Sequence, residues 1–142
     1  MATAVTEDRV DARTSRILIA EDERTLAHFL RRALESEPGY EIEVRHSGDE
    51  ALASLAERQP DVIIADLMMP GLTGIQLLRA ARGLQNRTQA ILMTAYGCSD
   101  VEAEAERVGV SAYVSKPFEM EEMKQLVRRA ARIAKGGPNA SR

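Results

Sequence analysis

The sequence has little of several residue types that mark specialised classes of protein. Its 142 residues include one cysteine, Cys98, no tryptophan, three tyrosines and two phenylalanines. A single cysteine excludes a framework of internal disulfides and a metal site built from cysteines. The shortage of aromatic residues argues against an aromatic-rich sandwich of sheets and predicts a core of aliphatic side chains.

Long hydrophobic runs and an excess of positive charge are also missing. No apolar run approaches the roughly 18 residues of a membrane span. Residues 1–13 mix acids and bases, whereas an export signal would be basic and then apolar. The 19 basic and 22 acidic residues give a formal net charge of -3, so no general attraction to nucleic acid or membranes is expected. We therefore expect a cytoplasmic protein with neither nucleic acid nor membrane as its partner.

The remaining composition suits one folded domain. Hydrophobic residues make up 44% of the chain, and 142 residues is a common length for a domain with one core. Residues 1–15 are polar and aperiodic, so we expect a flexible N-terminal tail. The folded domain is expected over residues 16–135, followed by a flexible C-terminal tail over residues 136–142.

Short apolar segments alternate along the chain with segments of helical periodicity. Continuous apolar strands are typical of parallel sheets that are covered on both faces. Stripes of apolar residues at helical spacing separate them, and glycine or proline residues end the helices. The alternation predicts an α/β domain with a parallel sheet, helices on both faces and right-handed crossovers. The predicted strands cover Ile17–Ala20, Tyr40–Arg45, Val62–Asp66, Ala90–Thr94 and Ser111–Ser115.

Polar residues stand at the ends of four of these strands. Glu21 and Asp22 follow the first strand, Asp66 ends the third, Thr94 ends the fourth and Lys116 follows the fifth. Because the carboxyl ends of parallel strands meet at one edge of a sheet, we expect these groups to lie together. Three neighbouring acids would repel one another unless a cation neutralised them. Carboxylate oxygens without histidine or cysteine nearby favour Mg²⁺ as that cation.

Such a site suits the transfer of a phosphoryl group to Asp66. An aspartate carboxylate can attack phosphorus when Mg²⁺ and the Lys116 ammonium offset the charge that develops on the phosphoryl oxygens. The Thr94 hydroxyl and the Ala95 backbone N–H can bind a further oxygen. Since phosphoryl transfer depends mainly on positioning and charge neutralisation, no separate general base is needed.

Several separated motifs occur together in the order and spacing of one protein family. They are Glu21-Asp22-Glu23, the stretch from Pro60 to Gly71, Thr94-Ala95-Tyr96-Gly97 and Lys116-Pro117-Phe118. Together they resemble the receiver domain of two-component response regulators, in the manner of the single-domain chemotaxis regulators, from Arg16 to Lys135. Chance agreement with one motif would not reproduce the whole set.

The resemblance implies a fold, a metal and a phosphoryl donor. The fold would be a doubly wound, flavodoxin-like (βα)5 sheet with strand order 2-1-3-4-5. Glu21, Asp22, Asp66 and the Met68 carbonyl would hold Mg²⁺, directly or through water. Asp66 would take its phosphoryl group from a histidine kinase or a histidine phosphotransfer protein.

The resemblance also implies a change of surface on phosphorylation. Thr94 and Lys116 would bind the phosphoryl oxygens, Thr94 would move toward the group, and Tyr113 would turn from exposed to buried. The surface of the fourth helix, fifth strand and fifth helix would change as the population shifts to the active state. Tyr113 could equally be an ordinary half-buried strand residue. The Lys116–Pro117 bond would be cis.

The sequence departs from the usual pattern of the family at two places. Glu21 stands where Asp is commoner, and its longer side chain leaves open whether it binds the metal directly or through water. Met68 and Tyr96, two residues after Asp66 and Thr94 respectively, have no amide or carboxylate to orient an attacking water. We therefore expect a long-lived phosphoryl group.

Alternative functions follow from the same residues. The leading one is a stand-alone receiver, a monomer or a weak dimer through the changing surface, that controls a partner protein. It would not be an enzyme, except that it would catalyse its own phosphotransfer and autodephosphorylation. The chain could instead be the receiver portion of a transcription factor or hybrid kinase, or an interaction module that is not phosphorylated. A phosphatase that uses an aspartyl phosphate would need an acid where Met68 stands.

His28 and His46 lack partner ligands at metal-binding spacing and are expected to be surface or helix-face residues.

Overall fold

The described part of the chain forms one sheet with helices on both of its faces. The structure, a computed structural model, describes residues 14–84, 88–95, 97 and 99–136. Most of both predicted tails lies outside these ranges, as do Tyr96 and Cys98. Ser15 is already the first residue of the first strand, one residue before the predicted start of the folded domain.

Strands and helices alternate along the described residues as predicted. Both ends of each strand lie within two residues of the predicted positions. None of the helices in the described ranges is both long enough and apolar enough to cross a membrane. The strands are β1 (Ser15–Ala20), β2 (Tyr40–Arg45), β3 (Val62–Asp66), β4 (Gln89–Thr94) and β5 (Ala112–Ser115). The helices are α1 (Arg24–Glu35), α2 (Gly48–Glu57), α3 (Gly74–Leu84), α4 (Ser99–Val108) and α5 (Met120–Ala134).

All neighbouring strands pair in parallel, in the order β2-β1-β3-β4-β5. This order confirms the predicted flavodoxin-like α/β fold. The register pairs Ala20 of β1 with Ala65 of β3. Glu21 and Asp66, which follow this pair, therefore reach the carboxyl edge of the sheet at the same level.

The core consists of two clusters of aliphatic side chains, one on each face of the sheet. Because side chains alternate along a strand, Ile17 and Ile19 of β1 join the cluster under α1 and α5, while Leu18 and Ala20 join the cluster under α2, α3 and α4. The largest fully buried side chains are all isoleucine or leucine, which confirms the predicted aliphatic core. Strand β3 is buried along its whole length, so Asp66 arrives at the edge on a rigid central strand.

Candidate functional site

The three predicted acids come together at the carboxyl edge of the sheet. Asp66 is the last residue of β3, and Glu21 follows β1 directly. One carboxylate oxygen from each of Glu21, Asp22 and Asp66 lies within 4.8 Å of the other two. Glu21 and Asp66 are buried, whereas Asp22 is exposed. The site is therefore a compact acidic cluster with one side open to solvent.

Lys116 reaches this cluster from the end of β5. Its Nζ donates hydrogen bonds to Asp66 Oδ2 and Glu21 Oε1, both at 3.1 Å. Burial alone would lower the pKa of Lys116, but the hydrogen bonds to Asp66 and Glu21 and their negative charges raise it. Lys116 is thus held as a cation between two acids. The Lys116–Pro117 peptide bond is cis, as the resemblance implied.

Glu21 is strongly affected by its surroundings. Its pKa rises to about 7, mainly because burial disfavours the charged carboxylate and also because Asp66 carries a like charge. A hydrogen bond of 2.9 Å from the Glu23 N–H to Glu21 Oε2 and the contact with Lys116 act in the opposite direction. One lysine therefore compensates the two buried acids only in part.

The donor set of this cluster fits a hard divalent cation. Its members are all carboxylates, and Mg²⁺ prefers oxygen ligands and usually keeps several waters. Such an ion would supply the positive charge that Lys116 alone does not. The further ligand that the resemblance implies is the Met68 carbonyl, in the turn after Asp66. The Met68 side chain is 63% exposed, and the role of its carbonyl stays a prediction.

Thr94 and Ala95 lie at the end of the neighbouring strand β4. Thr94 is buried, and its carbonyl oxygen accepts a hydrogen bond from the Lys116 backbone N–H at 2.7 Å. The register pairs Asp66 with Met93, so Thr94 stands one residue beyond the level of Asp66. Ala95 is exposed at the start of the next loop. The sheet brings both residues to the edge that carries Asp66, and their binding of phosphoryl oxygens stays a prediction.

Tyr113 lies in β5, packed against the core and close to Gly97. The residue is half-buried and packs against the apolar cluster under α2, α3 and α4, and its hydroxyl oxygen is shielded from solvent. A Cβ atom added at Gly97 would lie 3.6 Å from that oxygen. This position suits both the switch role and the plain strand role, so the movement of Tyr113 stays a prediction. Tyr96, which has no amide to orient an attacking water, lies outside the described residues.

Two features of the site were not predicted from the sequence. A Cβ atom at Gly74, the first residue of α3, would lie 2.6 Å from the Asp66 carbonyl oxygen and 2.7 Å from Leu92 Cδ1. Glu23, the third acid after β1, caps α1, since its Oε1 accepts the Leu26 N–H at 2.8 Å. The position of Glu23 directly before the amphipathic helix could have suggested the cap. No sequence signal reveals the close contact at Gly74.

Comparison with known proteins points to one family. A family model described as the response regulator receiver domain matches residues 17–128. The chain is 39% identical over 116 residues to the uncharacterized transcriptional regulatory protein YkoG of Bacillus subtilis, an alignment that covers 82% of this chain and 50% of YkoG. It is 38% identical over 119 residues to the regulatory protein AtoC of Escherichia coli, covering 84% of this chain and 26% of AtoC. The chain thus spans about half the length, or less, of these curated relatives.

A solved structure extends the similarity to three dimensions. The receiver domain of the Francisella response regulator 1452 is 30% identical to this chain and superposes with a TM-score of 0.77. The superposition covers 84% of this chain and 98% of the Francisella domain. The same fold therefore accounts for nearly the whole of that receiver domain.

Proposed function

The chain belongs to the response regulator receiver domain family of two-component signalling, and from this premise we propose that Asp66 is its phosphorylation site. An Asp66 carboxylate oxygen attacks the phosphorus of a phosphohistidine on a histidine kinase or a histidine phosphotransfer protein. The O–P bond of an aspartyl phosphate forms as the P–N bond breaks, and the released imidazole takes a proton from solvent. The receiver catalyses only this transfer to itself and the later hydrolysis of the aspartyl phosphate.

The contact between Asp66 and Lys116 is the observation that carries this proposal. A lysine ammonium 3.1 Å from Asp66 Oδ2 lies where it can stabilise the negative charge of an incoming phosphoryl group. The Lys116 backbone N–H donates a hydrogen bond to the Thr94 carbonyl oxygen, so the two proposed phosphoryl ligands are held in a fixed relation to each other. Positioning and charge, which dominate the catalysis of phosphoryl transfer, are both supplied by this arrangement.

The acidic cluster supports Mg²⁺ as the second source of positive charge. Glu21, Asp22 and Asp66, together with the Met68 carbonyl, would hold the ion, directly or through water. When bound, the ion offsets the charge on the phosphoryl oxygens. The protein's own part is to keep Asp66 on a rigid strand end.

We infer that the output of phosphorylation is a change in the surface of α4, β5 and α5. Thr94 contacts the phosphoryl group better in the active state, and Tyr113 follows it inward, so the population shifts to that state. The changed surface controls a partner protein or an output domain. YkoG is described as a transcriptional regulatory protein, which makes control of transcription a candidate output.

Incubation with Mg²⁺ and acetyl phosphate, followed by intact-protein mass spectrometry, tests the assignment of Asp66. The wild-type chain should gain about 80 Da, the mass of one phosphoryl group. Asp66→Asn should gain nothing, because its neutral amide is a poor nucleophile toward phosphorus. Omission of Mg²⁺ should suppress the adduct of the wild-type chain.

Asp100→Asn is the matched control for this experiment. Asp100 is an exposed acid in the first turn of α4 and does not belong to the acidic cluster. Its variant should be phosphorylated like the wild-type chain. An adduct that persists in Asp66→Asn would contradict the assignment. A wild-type chain that stays unmodified while another receiver in the same buffer is phosphorylated would favour the unphosphorylated interaction module.

A further inference from the structure

A cleft that shares no lining residue with the phosphorylation site lies between α1 and the end of β2. This α1–β2 cleft has a volume of about 220 Å³. Four of its lining side chains can carry positive charge, and none is acidic. The proposed phosphoryl transfer uses none of them. The lining residues are Arg24, Ala27, His28, Arg31, Val44 and His46.

Helix α1 supplies a column of basic side chains to the cleft. Arg24, His28 and Arg31 are separated by four and then three residues, so they lie on one face on successive turns. Basic side chains at this spacing repel one another and weaken the helix when they are charged. A bound anion would relieve that repulsion.

Among the described residues, this column forms one ion pair, that of Arg31 with Glu35. Among the residues that the structure describes, Arg24 makes no ion pair. Arg31 Nε donates to Glu35 Oε2 at 3.0 Å, but both side chains are nearly half exposed, and water screens such a pair. The terminal nitrogens of both guanidinium groups match the spacing of phosphate oxygens.

His46 lines the other side of the cleft with its ring held in place. Its Nδ1 lies 3.0 Å from the Glu21 carbonyl oxygen. Since a carbonyl oxygen only accepts hydrogen bonds, Nδ1 carries a hydrogen and Nε2 is the nitrogen left for a ligand. A monoprotonated phosphate has both an O–H donor and charged oxygen acceptors, so it can pair with Nε2 whether or not Nε2 is protonated.

We propose that the α1–β2 cleft binds a small phosphate-class anion, either inorganic phosphate or a small phosphate monoester. The two arginines bind the charged oxygens from α1, and His46 binds from the residue directly after β2. The volume of about 220 Å³ is below the roughly 300–1,000 Å³ of pockets that take drug-sized ligands, which favours an anion smaller than a nucleotide.

NMR titration of the full chain in magnesium-free buffer at constant ionic strength tests this proposal. Inorganic phosphate and methyl phosphate form the two arms, and the arm with the tighter binding identifies the source of the phosphate. Saturable shifts should be centred on α1 and His46. The double variant Arg24→Gln/Arg31→Gln should weaken binding by about tenfold or more, since it removes two charged hydrogen-bond donors.

The double variant Arg107→Gln/Arg129→Gln is the matched control, because it removes the same charge from exposed residues on α4 and α5. It should bind like the wild-type chain. Asp66→Asn should also bind normally, since the cleft does not include Asp66. Equal weakening in both double variants, or shifts centred on Lys116, would overturn the proposal. If thermal unfolding shows that the cleft double variant does not fold, Arg24→Gln alone replaces it and must weaken binding.

Discussion

Among the residues that the structure describes, those that follow β3 and those that follow β4 are held very differently. Residues 67–73, after β3, are tied to the structure on two sides. The Leu67 N–H donates to the Met93 carbonyl at 2.7 Å, and the Pro70 carbonyl accepts from the Gly48 N–H at 3.1 Å. This segment is therefore fastened to β4 and to the start of α2.

Helix α3, which directly follows residues 67–73, adds to the rigidity of this segment. Thr73 and Gln76 cap α3 reciprocally, with hydrogen bonds of 2.9 and 3.1 Å between side chain and backbone N–H. Helix α3 also buries several residues against the sheet. They are Gly74, Ile75, Leu77, Leu78 and Ala81.

The segment after β4 and helix α4 have much weaker packing among the residues described. Ala95 and Gly97 are exposed, and α4 buries Ala105 alone. Elements with little buried apolar surface open or move at low free-energy cost. The comparison therefore suggests that the fold fixes the acceptor side of the site and leaves the α4 side able to change position.

Helix α4 is nevertheless attached at its C-terminal end. The Arg82 guanidinium of α3 donates to the Val108 carbonyl at 3.1 Å and to the Gly109 and Thr88 carbonyls at 2.8 Å each. Burial of this guanidinium lowers the pKa of Arg82. These hydrogen bonds attach the C-terminal end of α4 to α3.

Gly74→Ala should have the largest effect of the substitutions, because it disturbs the rigid segment that follows β3. The new methyl group would meet the Asp66 carbonyl oxygen at 2.6 Å, and this backbone cannot yield without moving Asp66. We expect a loss of about 1–3 kcal/mol in the free energy of unfolding and slower phosphorylation. Urea unfolding and the rate of the acetyl phosphate reaction measure the two effects.

Gly83→Ala, in the same helix, is the matched control for Gly74→Ala. Within the part of the chain that the structure describes, a Cβ atom at Gly83 meets nothing within 4 Å. Alanine there should stabilise the protein by up to about 1 kcal/mol through its higher helix propensity. Equal destabilisation by both substitutions would show that the contact with Asp66 is not the cause.

Arg82→Gln should have the next largest effect, because it detaches the anchored end of α4. Three carbonyl oxygens lose a charged donor, and we expect a loss of about 1–2 kcal/mol in the free energy of unfolding. Hydrogen exchange should become faster in α4 and stay unchanged in residues 67–73. Faster exchange in both segments would mean that the two are not independent.

Arg79→Gln should have the smallest effect and sharpens the previous result. Arg79 Nη2 lies 2.6 Å from Glu104 Oε2, but the two side chains are 58% and 40% exposed. Exposed ion pairs contribute less than about 1 kcal/mol, so unfolding and exchange in α4 should differ little from the wild-type chain. If Arg79→Gln lowers the free energy of unfolding as much as Arg82→Gln does, then any contact between α3 and α4 contributes equally to stability.

Much of the fold and of the acceptor site could be predicted because local patterns encode them. Continuous apolar segments such as Val62–Asp66 predicted both ends of each strand to within two residues. The polar residues that follow these segments predicted which groups meet at one edge of the sheet. The role of Arg82 could not be predicted, since a basic residue in the last turn of a helix is ordinary. His28 and His46 were expected at the surface, but their common cleft depends on how α1 packs beside β2.

The sequence by itself determined which chemical groups end the strands: Asp66 on β3, Thr94 on β4 and Lys116 after β5. Only the tertiary structure decided that the Lys116 ammonium sits between Asp66 and Glu21, which precede it by 50 and 95 residues. The close contact of Gly74 with Asp66 and the basic α1–β2 cleft were decided in the same way. The physical reason is that such contacts depend on strand order, register and helix packing, which local propensities do not specify.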